Sequence, residues 1–314
     1  MDEARARYSA AAAVLPPVLR QAAMTLPPRE QSQAEEFRLR AGQVMTVLLP
    51  TGEYSLGIRV EQEMLETLWD LATDHSRYAA AEAARAGYLS VRGGFRVGLC
   101  GTAIMREGVV TGLRDLSAVS VRIGRECRGI ASALVSSLFE RDTFQSTLLL
   151  SPPGGEKTTT AIVGPSGGGK TTLLRDLVRC LSAGEGCPPR RVALVDERGE
   201  VAVTWRGVPQ MDVGPRTDVL DGCPKAAGIP MVLRAMNPQV IAVDEITVRE
   251  DLPAAAHAAG CGVGLLATIH AATAQELTEK PLYRELLAQG VFRRCVRIEK
   301  GPTGRRYRME ALPC

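Results

Sequence analysis

The segment SPPGGEKTTTAIVGPSGGGKTTLLRD, residues 151–176, states one phrase twice. SPPGGEKTT at 151–159 and GPSGGGKTT at 164–172 agree at six of nine positions. A loop of the form G-x-x-x-x-G-K-[ST] wraps its backbone N–H groups around an anion, and its glycines let them converge without Cβ clashes. The second copy satisfies this form from Gly164 through Pro165, Ser166, Gly167, Gly168 and Gly169 to Lys170 and Thr171, with Thr172 following. Lys170 can meet β- and γ-phosphates as a point charge. The Thr171 hydroxyl suits Mg²⁺, which keeps most of its waters and needs few protein oxygens. TTLLRDLVRCL behind the loop has helical spacing, so a positive helix end faces the phosphates. The first copy opens on Ser151 and places Glu156 where a glycine is needed. A carboxylate 4 Å from a phosphate charge costs roughly 4 kcal/mol at an effective dielectric near 20. It also runs into TTTAIV, which is β-branched and strand-like, with no helix behind it. The working loop is therefore read as 164–172, with TTTAIV as the strand that feeds it.

Two apolar runs end in acids. VIAVDE, residues 240–245, offers Asp244 to Mg²⁺ through water, and Glu245 to orient or deprotonate an attacking water. VALVDERGE, residues 192–200, ends in Asp196 and Glu197. Parallel strands deliver their C-terminal ends to one sheet edge, where ligands bind. Two roles fit Glu197: help at the γ-phosphate, or structural pairing of Asp196-Glu197 with Arg198 or Arg216. LLATIH closes on His270, which is either a γ-phosphate sensor or a satisfied structural histidine. His257 reads as a helical residue with no special role.

The elements that must carry these residues fall into two groups. Residues 1–36 are helical and polar, broken at Pro16-Pro17 and Pro27-Pro28. FRLRAGQVMTVLLP and GEYSLGIRV alternate like strands about the Thr51-Gly52 turn. A helical stretch carries Met64, Leu65, Leu68 and Leu71. GYLSVRGGFRVGLCGTAIM reads as a hairpin turning at Gly93-Gly94, and SAVSVRIG as a further strand. Residues 1–126 thus make a small α+β domain. GIASALVSSLFE, residues 129–140, reads as a helix leading into a second domain over 127–300, and 301–314 as a basic C-terminal hairpin and tail. TLLL, TAIV, RVALVDE, VIAVDE and GLLATIH alternate there with helical patterns, the signature of a parallel sheet covered on both faces.

Composition narrows the function. The chain has 314 residues, with 45% hydrophobic and 23% charged content, enough for two globular domains. A net charge of +3 and 4% aromatics give little material for nucleic-acid binding, which makes a translocase the weakest reading. Eight cysteines in no C-x-x-C pair read as reduced cytosolic thiols. An acidic start argues against a signal peptide. The uncharged stretch Leu252–Gln275 is long enough to cross a bilayer, but its Ala, Gly and His content reads as buried helix, turn and strand. VFRRCVRIEKGPTGRRYRMEAL reads as a hairpin about residues 301–304, carrying seven basic residues from Arg293 to Arg308 against Glu299. Its charges either guard a sheet edge or form a patch for anionic lipid or an acidic partner.

The ordered set GPSGGGKTTLLRDL, VDERGE, DVGPRTDVLDGCPKA, VIAVDEI and TIHA resembles the stage III sporulation protein AA family, as do FRLR, GGFRVGLCGTA and SVRIGRE upstream. The family is similar to type II and type IV secretion ATPases. The resemblance implies a RecA-like P-loop NTPase domain after the α+β domain, with a mostly parallel sheet. It implies ATP and Mg²⁺ as ligands, and Glu197 and His270 in the acidic and histidine boxes. A cytoplasmic protein of the mother cell is implied, held peripherally on the membrane proteins of a stage III sporulation complex. So is a ring of six subunits, with Arg96, Arg122 or Arg125 reaching the neighbour's nucleotide. The family's single run from STLLLSPP into GGGKTTLLRDL is interrupted here by surplus residues. That leaves TLLL and TTAIV as two candidates for the central strand.

Overall fold

The computed structural model describes residues 3–76, 81, 85, 87–124, 127–151, 169–271, 274–301 and 304–312. They form two compact units, one before residue 125 and one after residue 126.

In the first unit, the proline pairs divide three helices: α1 (Glu3–Ala12), α2 (Pro17–Ala23) and α3 (Pro28–Gln31). Proline is tolerated at the start of α2 and α3 because an opening N–H has no intrahelical partner to lose. Strands β1 (Glu36–Arg40), β2 (Val44–Leu49) and β3 (Gly52–Arg59) precede helix α4 (Gln62–Ala72). Strands β4 (Tyr88–Val91), β5 (Phe95–Arg106) and β6 (Val109–Arg122) come next, so the last strand starts well before the SAVSVRIG read from sequence. The sheet order is β3-β2-β1-β6-β5-β4. Phe37, Leu39, Val47, Val97, Val119 and Val121 bury one face against Tyr8, Leu65 and Leu68. The Tyr8 ring packs tilted against Phe37 at 5.1 Å, and its hydroxyl donates to the Ala23 carbonyl at 2.6 Å.

The second unit opens differently from expectation. Over 129–140 the chain makes only the turn-length helix α5 (Ser132–Val135), a 3-10 turn, and strand β7 (Phe139–Glu140), which pairs with β8 (Thr143–Phe144). The Ser137 hydroxyl donates to the Leu134 carbonyl, and Phe139 packs edge-on to Phe144 at 5.6 Å. A serine bonding its own backbone competes with helix continuation.

Strand β9 (Thr147–Ser151) and helix α6 (Lys170–Ala183) flank the doubled phrase. Beyond them come β10 (Val192–Asp196), a small β11 (Thr204–Trp205) and β12 (Val208–Pro209) pair, β13 (Thr217–Asp221), α7 (Lys225–Met236), β14 (Val240–Val243), α8 (Asp251–Gly260) and β15 (Gly264–His270). Helices α9 (Ala274–Glu279) and α10 (Pro281–Ala288) lead to the hairpin of β16 (Arg294–Gly301) and β17 (Gly304–Ala311). The sheet order is β13-β10-β14-β15-β9-β16-β17, parallel throughout except for β17. TLLL fills the slot beside β15, with Ser151 opposite His270. Of the two candidates for the central strand, TLLL is the one between β15 and β16; TTTAIV, read as the strand feeding the loop, lies outside the described residues.

Both sheet faces are covered, which is why the strands read as continuous apolar runs. Leu148, Leu150, Ala193, Val195, Ile241 and Val243 face Ile229 of α7 and Leu252 of α8. Their neighbours Leu149, Val192, Leu194, Val240 and Ala242 face Leu173 and Leu177 of α6. The uncharged stretch resolves into α8, a turn and β15, and among the described residues no helix is long and apolar enough to cross a membrane.

Candidate functional site

Because the strands run parallel, β9, β15, β14 and β10 end on one edge, and this edge receives the opening of α6. Helix α6 starts at Gly169, held at φ +82° as its N-cap, so its first N–H groups point outward. Glycine suits this position because φ +82° disfavours a Cβ, and the Arg305 guanidinium lies where that Cβ would point. Lys170 comes next and is buried, with Thr171 and Thr172 half-buried beside it. Gly164, Pro165, Ser166, Gly167 and Gly168 lie outside the described residues, as do Lys157 and Arg125.

A chain of contacts joins three of the expected site residues. The Lys170 ammonium donates to His270 Nδ1 at 2.7 Å, and His270 Nε2 lies 2.5 Å from Glu245 Oε1. An ammonium has no lone pair, so Nδ1 must accept, and the proton sits on Nε2 facing the carboxylate. Burial, and then the Lys170 charge, lower the His270 pKa against the pull of Glu245, which keeps the imidazole neutral. The other Glu245 oxygen takes Arg198 Nη1 at 3.4 Å. Burial also lowers the Lys170 pKa, opposed by Glu245 and Asp244.

Asp244 is buried at the end of β14 and accepts from the Thr268 hydroxyl at 3.3 Å. Burial, with the charges of Glu200, Asp196 and Glu245, pushes its pKa up to about 6. A buried acid crowded by carboxylates is relieved by a divalent cation. The hard oxygens of Asp244 and Thr171 fit Mg²⁺ in donor type. Among the described residues, no cluster of three or more His, Cys, Asp or Glu side chains is gathered to hold a metal alone.

Asp196 and Glu197 have separate work. Asp196 accepts the backbone N–H groups of Glu200 at 3.0 Å, Val201 at 3.0 Å and Ala202 at 2.8 Å, fixing the turn after β10. Glu197 pairs with the buried Lys225 ammonium, which also lies 4.0 Å from Asp251. Of the two arginines considered as partners for this acid pair, Arg198 lies 3.4 Å from Glu245 and Arg216 donates to the Ser182 carbonyl at 3.0 Å. Sequence reasoning missed Lys225 and Thr268. Thr268 was open to detection, because it stands two residues before His270 on the same strand.

A family model described as sporulation stage III, protein AA matches residues 12–161 and 154–306. The two matches overlap inside the doubled phrase. The stage III sporulation protein AA of Bacillus subtilis (strain 168) is 35% identical over 294 residues, covering 93% of this chain and 91% of that protein. The chain belongs to the stage III sporulation protein AA family. The resemblance read from its motifs is borne out.

This family member also shares its fold with solved ATPases. The pilus retraction motor PilT, solved with bound ADP, superposes with a TM-score of 0.60 at 16% identity, over 90% of this chain and 80% of that one. The Legionella pneumophila ATPase DotB gives a TM-score of 0.53 at 14% identity, over 89% and 76%. A P-loop ATPase fold of mostly parallel strands, expected from the sequence, is borne out by this likeness.

Proposed function

We propose that this sporulation protein AA family member binds ATP with Mg²⁺ at the opening of α6 and hydrolyses it. The observation that carries this reading is the Lys170–His270–Glu245 chain at the sheet edge that α6 faces. Lys170 and the N–H groups of α6 bind the triphosphate. Thr171 and Asp244 would hold magnesium, whose charge eases displacement at the γ-phosphate. When a phosphate draws Lys170 away, His270 Nδ1 is freed to take up a proton and donate it in a hydrogen bond to a γ-phosphate oxygen. Its Nε2–H keeps Glu245 in place. Glu245 orients the attacking water and takes its proton as the new P–O bond forms and the β,γ-bridging bond breaks, giving ADP and phosphate. Glu197, paired with Lys225 at the end of β10, assists at the γ-phosphate.

The reading extends to a motor: a ring of six such chains, docked from the cytoplasmic side of the mother cell on membrane proteins of a stage III sporulation complex. Arg96 and Arg122 stand on neighbouring strands β5 and β6 of the first unit, with register partners opposite each other. Arg96 lies 3.4 Å over the Tyr88 ring, and Arg122 lies 3.9 Å from Glu36. Both are proposed to serve the neighbour's nucleotide, as is Arg125. Steady-state phosphate release by the wild type and by Glu245→Gln tests the chemistry. A fall of about 100-fold or more is expected for loss of a positioned base, and equal rates would remove Glu245 from the mechanism.

A nucleotide-gated scaffold with little hydrolysis is the second reading. It is favoured by the surplus residues between β9 and α6, where the family model matches twice. Turnover measured beside assembly with ADP, ATP and no nucleotide separates the two.

A further inference from the structure

The basic hairpin of β16 and β17 carries an arginine that the site described above does not use. A Cβ placed on Gly169 would fall 2.7 Å from Arg305 Cζ, 2.8 Å from Nε and 2.9 Å from Nη1. The guanidinium therefore lies flat against the residue that opens α6, one position before Lys170.

The direction of this side chain comes from strand periodicity. Residues two apart on a strand share a face. Tyr307 and Met309 pack against the core that contains Leu173 and Leu177 of α6. Arg305 belongs to that same row, and Arg306 and Arg308 to the opposite one. The hairpin also reaches far enough. β16 is paired with β9 from Arg294 opposite Thr147 to Arg297 opposite Leu150, then runs on to Gly301. Its far end thus overhangs the sheet edge where α6 begins.

Charge makes this placement informative. Arg297 is paired with Glu299 at 2.5 Å and Glu310 at 3.5 Å, Arg308 with Glu310 at 3.6 Å, and Arg294 with Glu140 at 3.8 Å. Among the described residues, no carboxylate is paired with Arg305. Instead it adds a positive charge to a helix N-terminus that is already positive, next to Lys170. Such a grouping is unfavourable by itself and becomes favourable around a polyanion. We infer that Arg305 is a phosphate-contacting residue, supplied in cis by the C-terminal hairpin, that clamps the polyphosphate of the bound nucleotide. The inference rests on the reading of α6 as the nucleotide site and adds a ligand contact from an element outside the loop. The planar guanidinium fork suits two phosphate oxygens at once. In this role the hairpin is part of the nucleotide site as well as a sheet edge.

The test is equilibrium binding of ATP, ADP and inorganic phosphate to full-length wild type, Arg305→Ala, Arg305→Lys and Arg306→Ala. Arg305→Ala is expected to weaken ATP and ADP about tenfold or more, while Arg305→Lys recovers part of the loss. Arg306→Ala, on the other face, should bind as wild type does. The thermal midpoint of Arg305→Ala without nucleotide should equal or exceed that of wild type, because a like-charge contact is removed. Wild-type affinity in Arg305→Ala overturns the inference and leaves the nucleotide site standing. An equal loss in Arg306→Ala also overturns it, by making the effect one of general hairpin charge. Binding of inorganic phosphate but no nucleotide by wild type removes both the site reading and the inference. Should Arg305→Ala fold poorly, the comparison of Arg305→Lys with Arg306→Ala still decides.

Discussion

His270 has each of its two nitrogens committed to a different neighbour, and this sets the state of the whole site. Lys170 fixes Nδ1 as the acceptor, so Glu245 receives the Nε2 proton and is held in one orientation. Burial dictates the chemistry of the cysteines in the same residue-by-residue way. Cys180 and Cys295 are buried, and desolvation of the thiolate pushes each pKa up to about 11. Cys100, Cys127 and Cys261 are exposed. A raised thiol pKa leaves little thiolate below about pH 11, and thiolate is the reacting form. At about pH 8, near the ordinary thiol pKa, a maleimide reagent is therefore expected to label the exposed cysteines and spare Cys180 and Cys295 until the protein is unfolded. Mass mapping of the labelled peptides checks this, and rapid labelling of Cys295 in the folded protein would contradict it.

At the scale of elements, the second copy of the doubled phrase is marked by the helix behind it. α6 is 14 residues long with a buried face of Leu173, Leu174, Leu177, Val178 and Leu181. That packing fixes its N-terminus at the sheet edge, where the opening N–H groups and Lys170 act together. Lys170→Ala is thus expected to lower ATP affinity by about 100-fold or more, a loss of ~3 kcal/mol at about 1.4 kcal/mol per tenfold. Lys157→Ala should change it little. Nucleotide titrations of the two variants distinguish the copies, and the opposite pattern would reassign the loop to 151–159. The strand outcome belongs to this scale as well. TLLL and TTAIV are both short apolar runs, and the β-branched residues of TTAIV do not by themselves assign it the slot. β9 is recognised by its neighbours: it pairs with β15 on one side and β16 on the other.

For the whole molecule, the proposed ring has a direct consequence. If Arg96 and Arg122 act on the next subunit's nucleotide, defects in the two units should complement in mixed assemblies. Arg122→Ala and Lys170→Ala are each expected to lose most of their phosphate release alone. An equimolar mixture should regain activity above the sum of the two, because some interfaces join an intact nucleotide site to an intact arginine. Additive rates would place Arg122 outside the mechanism or in its own subunit's site.

Local pattern alone determined much of this protein. The phosphate-loop form, the apolar runs ending in Asp196, Asp244 and His270, and the proline-broken helices are all features of adjacent residues. Sequence displays such features directly, and they were enough to reach the fold and the family. The pairing of side chains was decided only in three dimensions. Glu197 meets Lys225, Arg198 meets Glu245, and Arg305 meets Gly169, across separations in sequence that no periodicity encodes. A charged side chain takes its partner from whatever the parallel strands and the hairpin bring to the same sheet edge. That depends on strand order and register, which arise from packing of the whole chain.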